Sequence, residues 1–155
     1  MKFVIDTNTV FSALLNPNSK IGQIILNGSK YFTFISIEQL KHEIEKHKDK
    51  ILKISGLSNY EFLRLYRLIN SKIKFVHQIL ISDENYEKAD KLTFDIDPDD
   101  LLFVALNIQF RCKLWTGDKQ LINGLRLKGF NQIITTEELF QIYLDKELKR
   151  KRRYK

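Results

Sequence analysis

Short apolar runs of strand length alternate with longer segments of helical spacing, and this alternation constrains the fold more than any other feature. Five such runs occupy residues 2–5, 31–35, 74–76, 113–116 and 132–134. Alternating strands and helices are typical of α/β domains whose parallel sheet is buried between helices. The pattern therefore predicts a three-layer α/β/α sandwich with a central, mainly parallel sheet.

Capping residues indicate where several helices begin. Ser36 is placed as the N-cap of a helix that follows the second strand. Pro98 lies at the first position of another helix, with aspartates in its first turn. Thr136 caps a final helix that is expected to cover residues 137–148.

The excess of positive charge is concentrated at the end of the chain. The net charge is +7, and residues 146–155 contain seven basic residues and one acidic residue. We expect a single domain over residues 1–148, followed by a basic tail over residues 149–155. The tail is interpreted either as a nucleic-acid contact or as a solvated helix end. The nucleic-acid contact would be made by Lys149, Arg150, Lys151, Arg152 and Arg153.

Other sequence features exclude several classes of protein. No apolar run has the ~18 residues of a membrane span, and the first apolar segment is too short for a signal peptide. We therefore expect a cytoplasmic protein without membrane contact. Cys112 is the only cysteine, which excludes an internal disulfide. His42 and His47 are five residues apart and are interpreted as structural or surface residues. No glycine-rich phosphate loop is present.

Acidic residues fall where a parallel sheet would bring them together. Asp6 directly follows the first strand, and Asp118 follows the fourth after one glycine. Asp97 and Asp100 lie at the start of a helix, and Glu43 lies two turns after the second strand. In open α/β sheets, ligands bind beyond the carboxyl ends of the strands. These five side chains are therefore expected to face one cleft.

Clustered carboxylates repel one another, so a shared site requires raised pKa values or a cation. Mg²⁺ and Mn²⁺ prefer such oxygen ligands, and both serve phosphodiester hydrolysis as one ion or as a pair. Each acid also has an ordinary interpretation. Asp6, Asp97 and Asp118 suit helix N-caps, and Glu43 suits a solvated helix face. The metal site is favoured by the joint order and spacing of the acids.

Four motif blocks follow one another along the chain. They are Phe3-Val4-Ile5-Asp6-Thr7-Asn8, Ser36-x6-Glu43, Asp97-Pro98-Asp99-Asp100 with Phe103-x-Ala105-Leu106, and Trp115-Thr116-Gly117-Asp118-Lys119-x-Leu121. Together they span residues 3 to about 121, and in this order they resemble the PIN-domain family. The resemblance implies a metal-dependent endoribonuclease whose Mg²⁺ or Mn²⁺ ions are held by an acidic cluster.

The same resemblance assigns roles to individual residues. It implies that Asp6, Glu43, Asp100 and Asp118 are catalytic and hold the metal, with Asp97 as a further ligand or base. Asn8 and Thr116 would orient Asp6 and Asp118 through hydrogen bonds. Small PIN proteins also resemble the VapC-type toxins of toxin–antitoxin pairs. That likeness implies an RNA substrate and an antitoxin partner, while a homodimer is the common symmetric arrangement.

Two alternative functions, together with a purely structural role, are left open at this point. The first is a catalytically inactive PIN-like scaffold that binds RNA or protein. The second is another Mg²⁺-dependent phosphoesterase, although Asp6-Thr7-Asn8 lacks the second aspartate of the common phosphatase Asp-x-Asp motif.

Overall fold

A computed structural model describes residues 1–155. Five parallel strands form one sheet in the order β3-β2-β1-β4-β5. The strands are β1 Lys2–Ile5, β2 Thr33–Ile37, β3 Ile73–Val76, β4 Lys113–Trp115 and β5 Ile133–Ile134. This all-parallel sheet confirms the predicted fold class.

Nine α-helices cover the two faces of the sheet. They are α1 Thr7–Leu15, α2 Lys20–Gly28, α3 Gln39–Lys46, α4 Lys48–Ser55, α5 Asn59–Ser71, α6 Asp83–Thr93, α7 Leu101–Phe110, α8 Lys119–Leu127 and α9 Thr136–Arg153. Helix α1 contacts α2, α3, α4 and α5, and α2 contacts α9, so these six form one layer. Helix α6 contacts α7 and α8, and α7 crosses β1, β2 and β4 in the other layer. No helix combines the length and the apolar character that a bilayer span needs.

The sheet forms the centre of a single hydrophobic core. Val4, Ile5, Leu114 and Trp115 in the two middle strands have no solvent-accessible surface. Burial on both faces explains why these strands are continuous apolar runs rather than alternating ones. The rigid centre fixes the positions of the residues that leave β1 and β4 at their carboxyl ends.

The prediction that Ser36 caps a helix is wrong. Ser36 is buried inside β2, which begins and ends two residues later than the predicted strand 31–35. Its hydroxyl donates a 2.8 Å hydrogen bond to the carbonyl oxygen of Ile5 at the end of β1. That bond satisfies a polar side chain within an otherwise apolar strand, so α3 begins only at Gln39.

The segment that opens with Asp97 and Pro98 is more divided than expected. A single 3-10 turn covers Pro98–Asp100, and α7 continues from Leu101. Asp97 caps the turn as predicted, because its Oδ1 accepts a 3.0 Å hydrogen bond from the backbone N–H of Asp99. The tighter turn directs Asp100 inward, where only 7% of its surface is exposed.

Candidate metal centre

The site lies where the sheet changes its direction of growth. From β1 the chain adds β2 and β3 on one side, and β4 and β5 are added on the other. The connections that follow β1 and β4 therefore diverge, which opens a crevice at their carboxyl ends. Asp6 and Asp118 stand at the two sides of this crevice.

Asp6 has two carboxylate oxygens with different surroundings. Oδ1 caps α1, accepting hydrogen bonds from the backbone N–H and the hydroxyl of Thr9 at 2.9 and 2.7 Å. Oδ2 is buried and has no hydrogen-bond partner. Buried carboxylate oxygens without a partner are costly, so Oδ2 is suited to a cation.

Asp118 repeats this arrangement at the start of α8. Its Oδ1 accepts a 3.1 Å hydrogen bond from the backbone N–H of Leu121. The backbone N–H of Asp118 donates to the Thr116 hydroxyl at 3.1 Å, which supports the predicted orienting role of Thr116. The capping and metal-binding interpretations are therefore compatible, because capping uses only one oxygen of each aspartate.

Asp97 and Asp100 bring further carboxylates to the same point. The 3-10 turn places one oxygen each from Asp97, Asp100 and Asp118 within 4.8 Å of one another. Oδ2 of Asp100 is a second buried oxygen without a hydrogen-bond partner. Three convergent aspartates supply only hard oxygen donors, the ligand set that Mg²⁺ and Mn²⁺ prefer.

Glu43 approaches the cluster from α3 and is held by a residue that the sequence patterns did not single out. The side-chain amide of Gln39 donates to Glu43 Oε1. It also donates a 3.0 Å hydrogen bond to the backbone carbonyl of Asp99. Gln39 therefore connects α3 to the 3-10 turn and sets the direction of Glu43.

The charges at this site act strongly on one another. Burial, followed by the charges of neighbouring acids, raises the pKa of Asp100 to about 8. The neighbours that raise it are Asp6, Asp97, Asp118 and Glu43, so all five predicted acids meet at one site. Burial also raises the pKa of Asp6, although the hydrogen bonds from Thr9 act in the opposite direction.

These features fit a divalent cation. Five carboxylate side chains converge, and two of them present buried oxygens that no protein donor satisfies. The adjoining pocket has a volume of about 410 Å³ and is lined in part by Thr7, Glu43, Asp97, Asp99 and Asp100. That space accommodates an ion together with a phosphate group.

The structure contains no hydrogen bond for the predicted orienting role of Asn8. Asn8 is exposed and lines the pocket but makes no hydrogen bond to Asp6. Thr9 takes that orienting role, because an N-cap side chain bonds to the third residue of its helix, where Thr9 lies. The sequence signal for this contact is the spacing of three residues between Asp6 and Thr9, which is the usual spacing between an N-cap and its hydrogen-bond donor.

The basic residues 149–153 are not brought to the acidic cluster. Helix α9 begins just after β5 at the carboxyl edge of the sheet and continues through Arg153, about 26 Å away at 1.5 Å per residue. Near its end, Glu147 pairs with Lys30 and accepts a 2.7 Å hydrogen bond from Tyr31, just before β2 begins. The basic residues therefore lie toward the opposite, amino edge of the sheet.

The fold and site define a class of protein: a parallel α/β domain with an oxygen-only acidic cluster at the point where the sheet changes direction. The chain belongs to the PIN domain family, whose profile matches residues 4–144. No curated protein sequence matches the chain.

A solved structure adds a comparison of the fold. It is a chain from the crystal structure of VapBC2 from Rickettsia felis, in which VapBC2 is bound to a DNA fragment from its own promoter. The TM-score is 0.58 at 15% sequence identity, and the match covers 87% of this chain and 97% of that chain. At this identity the likeness shows a shared fold.

Proposed function

We propose that this protein is a metal-dependent ribonuclease that hydrolyses RNA phosphodiester bonds with Mg²⁺ or Mn²⁺ held by its acidic cluster. The observation that carries the proposal is the pair of buried, unpartnered oxygens of Asp6 and Asp100 among three more acids. A structural cluster without a cation would retain both the repulsion and the unsatisfied oxygens. Membership of the PIN domain family supports nuclease chemistry.

Each residue has a distinct part in the proposed reaction. Asp6, Asp100 and Asp118 would hold the cation through oxygens that are free of helix capping, and Glu43 would join them from α3. When bound, Mg²⁺ or Mn²⁺ supplies positive charge that neutralises the phosphate and activates water. Asp97 is less buried than Asp100 and is placed as a further ligand or as the base that accepts the proton of the attacking water.

The direct test is cleavage of a mixed single-stranded RNA by the wild type and by Asp6→Asn, each in Mn²⁺, Mg²⁺ and EDTA. We expect metal-dependent cleavage by the wild type that is lost in Asp6→Asn. Asp90→Asn is the matched control, because Asp90 is an exposed aspartate on α6 outside the pocket lining. Equal cleavage by wild type and Asp6→Asn would refute the site. RNA binding without cleavage would favour the scaffold alternative, and rapid hydrolysis of p-nitrophenyl phosphate would favour a phosphoesterase.

The biological setting that we propose is the toxin half of a toxin–antitoxin pair, with an antitoxin protein as partner. Support comes from the fold shared with a chain of a VapBC2 assembly and from the PIN domain family. The test is expression of the chain alone and together with the product of the adjacent reading frame. Growth arrest that requires Asp6 and is relieved by the adjacent product would support the pair. Normal growth with active enzyme would refute it.

A further inference from the structure

The pocket beside the acidic cluster has a second, basic wall. Lys46, His47 and Lys50 line it together with the aspartates of the 3-10 turn. These residues lie where α3 ends and α4 begins, with His47 between the two helices. All three side chains are exposed, so they face the pocket rather than the core.

The two lysines of this wall carry charge that no acid neutralises. Neither Lys46 nor Lys50 takes part in an ion pair. The only aromatic contact of the group is that of Lys50, whose ammonium lies 5.8 Å from the ring centroid of Phe11. On the same helix α3, by contrast, Lys41 pairs with Glu38 at 3.3 Å.

Phe11 separates two adjoining spaces. The half-buried ring belongs to α1 and lines both the 410 Å³ pocket and a neighbouring pocket of about 370 Å³. The second pocket is also lined by Asn8, Gly117 and Asp118, so it continues directly from the acidic cluster. A side-chain carbon at Gly117 would meet no atom within 4 Å, so this side of the second pocket is open.

Charge balance explains why a polyanionic substrate needs this wall. The negative charge of the five acids offsets the positive charge of one or two divalent cations. Little positive charge then remains to attract any phosphate beyond the one that is cleaved. A single-stranded nucleic acid carries one negative charge for each further nucleotide, and proteins meet these charges with lysines and stack the bases on aromatic rings. Lys46, Lys50 and Phe11 provide both features within one pocket.

We propose that Lys46, His47 and Lys50 form a binding site for the phosphodiester next to the scissile one. In this proposal the nucleobase of the nucleotide between these two phosphodiesters stacks on the ring of Phe11. The ligand class is single-stranded nucleic acid. Lys46 and Lys50 supply charge, and the His47 imidazole supplies an N–H donor to a phosphate oxygen. This inference rests on the proposed nuclease function, because the acidic cluster defines where the scissile phosphate lies.

The test measures binding separately from cleavage. A short fluorescein-labelled oligouridylate is titrated by fluorescence anisotropy in Ca²⁺, which fills carboxylate sites, across a KCl series, and a gel checks that the RNA stays intact. For K46Q/K50Q we expect weaker binding and a salt slope smaller in magnitude by about 0.7, since the proposed site neutralises one phosphate of the single strand and each such contact contributes about 0.7. The control K53Q/K74Q makes the same charge change at exposed lysines outside the pocket and should keep the wild-type slope.

Phe11→Leu tests the nucleobase platform and retains an apolar side chain against the core. We expect roughly tenfold weaker binding with an unchanged salt slope, because stacking on an aromatic ring carries no charge. In cleavage assays both variants should raise KM and leave kcat within twofold of wild type. Circular dichroism confirms that each variant is folded before it is compared.

The outcomes separate this inference from the proposed nuclease function. Wild-type cleavage together with wild-type binding and slope in K46Q/K50Q and Phe11→Leu would overturn the inference and leave the nuclease standing. A reduced slope in K46Q/K50Q without cleavage by any form in Mn²⁺ or Mg²⁺ would support the nucleic-acid site and overturn the nuclease. An equal reduction in K53Q/K74Q would show diffuse attraction and would also overturn the inference.

Discussion

Replacing Asp100 with asparagine should make the metal-free protein less sensitive to pH. Burial and the four neighbouring acids raise the pKa of Asp100 to about 8, whereas an aspartate in an unfolded chain titrates near 3.9. Between these two values the folded protein therefore binds one more proton than the unfolded protein. The free energy of unfolding must then fall as the pH rises through this window.

The size of the effect follows from proton linkage. One extra bound proton changes the free energy of unfolding by about 1.4 kcal/mol per pH unit. From pH 5 to pH 7 the loss is roughly 2.8 kcal/mol, and in a chain of this length each kcal/mol shifts Tm by about 2–4 °C. The wild type should therefore lose about 6–11 °C over this interval. The raised pKa of Asp6 acts in the same direction.

Thermal unfolding followed by circular dichroism after dialysis against EDTA measures these slopes. Asp100→Asn should lose the contribution of one proton, and the exposed Asp90→Asn control should keep the wild-type slope. Addition of Mn²⁺ at pH 7 should raise the Tm of the wild type more than that of Asp100→Asn, because a ligand stabilises the state that binds it. Equal pH slopes in the wild type and Asp100→Asn would refute the electrostatic reasoning.

Three further predictions concern positioning, charge and packing. Gln39→Leu removes the hydrogen bond that orients Glu43 and should weaken the apparent Mn²⁺ affinity in cleavage assays by about 10–100-fold. An unchanged Mn²⁺ dependence would contradict the orienting role of Gln39. Deletion of residues 149–155 should weaken RNA binding and flatten its salt dependence. It should not change kcat, because these residues lie far from the acidic cluster. An unchanged salt slope would indicate that these residues are only a solvated helix end. Gly22→Ala places a carbon 2.1 Å from a backbone carbonyl oxygen of the preceding turn and should cost about 1–3 kcal/mol in urea unfolding. Gly117→Ala meets no atom within 4 Å and is its control; equal stability of the two variants would contradict this packing.

The sheet and the convergence of the acids were predictable because both depend on strong local patterns. A strand buried on both faces is a short apolar run, and a carboxylate directly after such a strand must lie at the edge of a parallel sheet. Asp6 and Asp118 satisfy this rule. Ser36 misled the prediction because a serine that satisfies its hydroxyl within a strand has the same sequence signature as a helix cap.

The contacts that complete the site depend on tertiary structure and carry no local signature. Gln39 donates a hydrogen bond to the carbonyl of Asp99, which lies 60 residues later in the chain. Nothing in the sequence around Gln39 distinguishes it from other polar helix residues, so this partner could not be predicted. The sequence predicts a structural or surface role for His47, and the residue is exposed, but the direction in which it faces depends on the break between α3 and α4. The direction of the basic residues 149–153 depends on how α9 packs against α2.

Asp6 and Asp118 each cap a helix as well as offering a candidate ligand, so the stability cost of replacement differs among the five acids. Replacement of either by alanine removes a helix cap together with a candidate ligand, and caps contribute about 0.5–2 kcal/mol to stability. Glu43 caps no helix, so its replacement leaves the fold without that penalty. A lineage that gave up catalysis would therefore retain Asp6 and Asp118 for their structural value and drift first at Glu43 and Asp100, whose side chains make no capping hydrogen bond. Aspartates at the strand ends alone are thus weak evidence of activity in a relative, and the residues at the positions of Glu43 and Asp100 are the more informative ones.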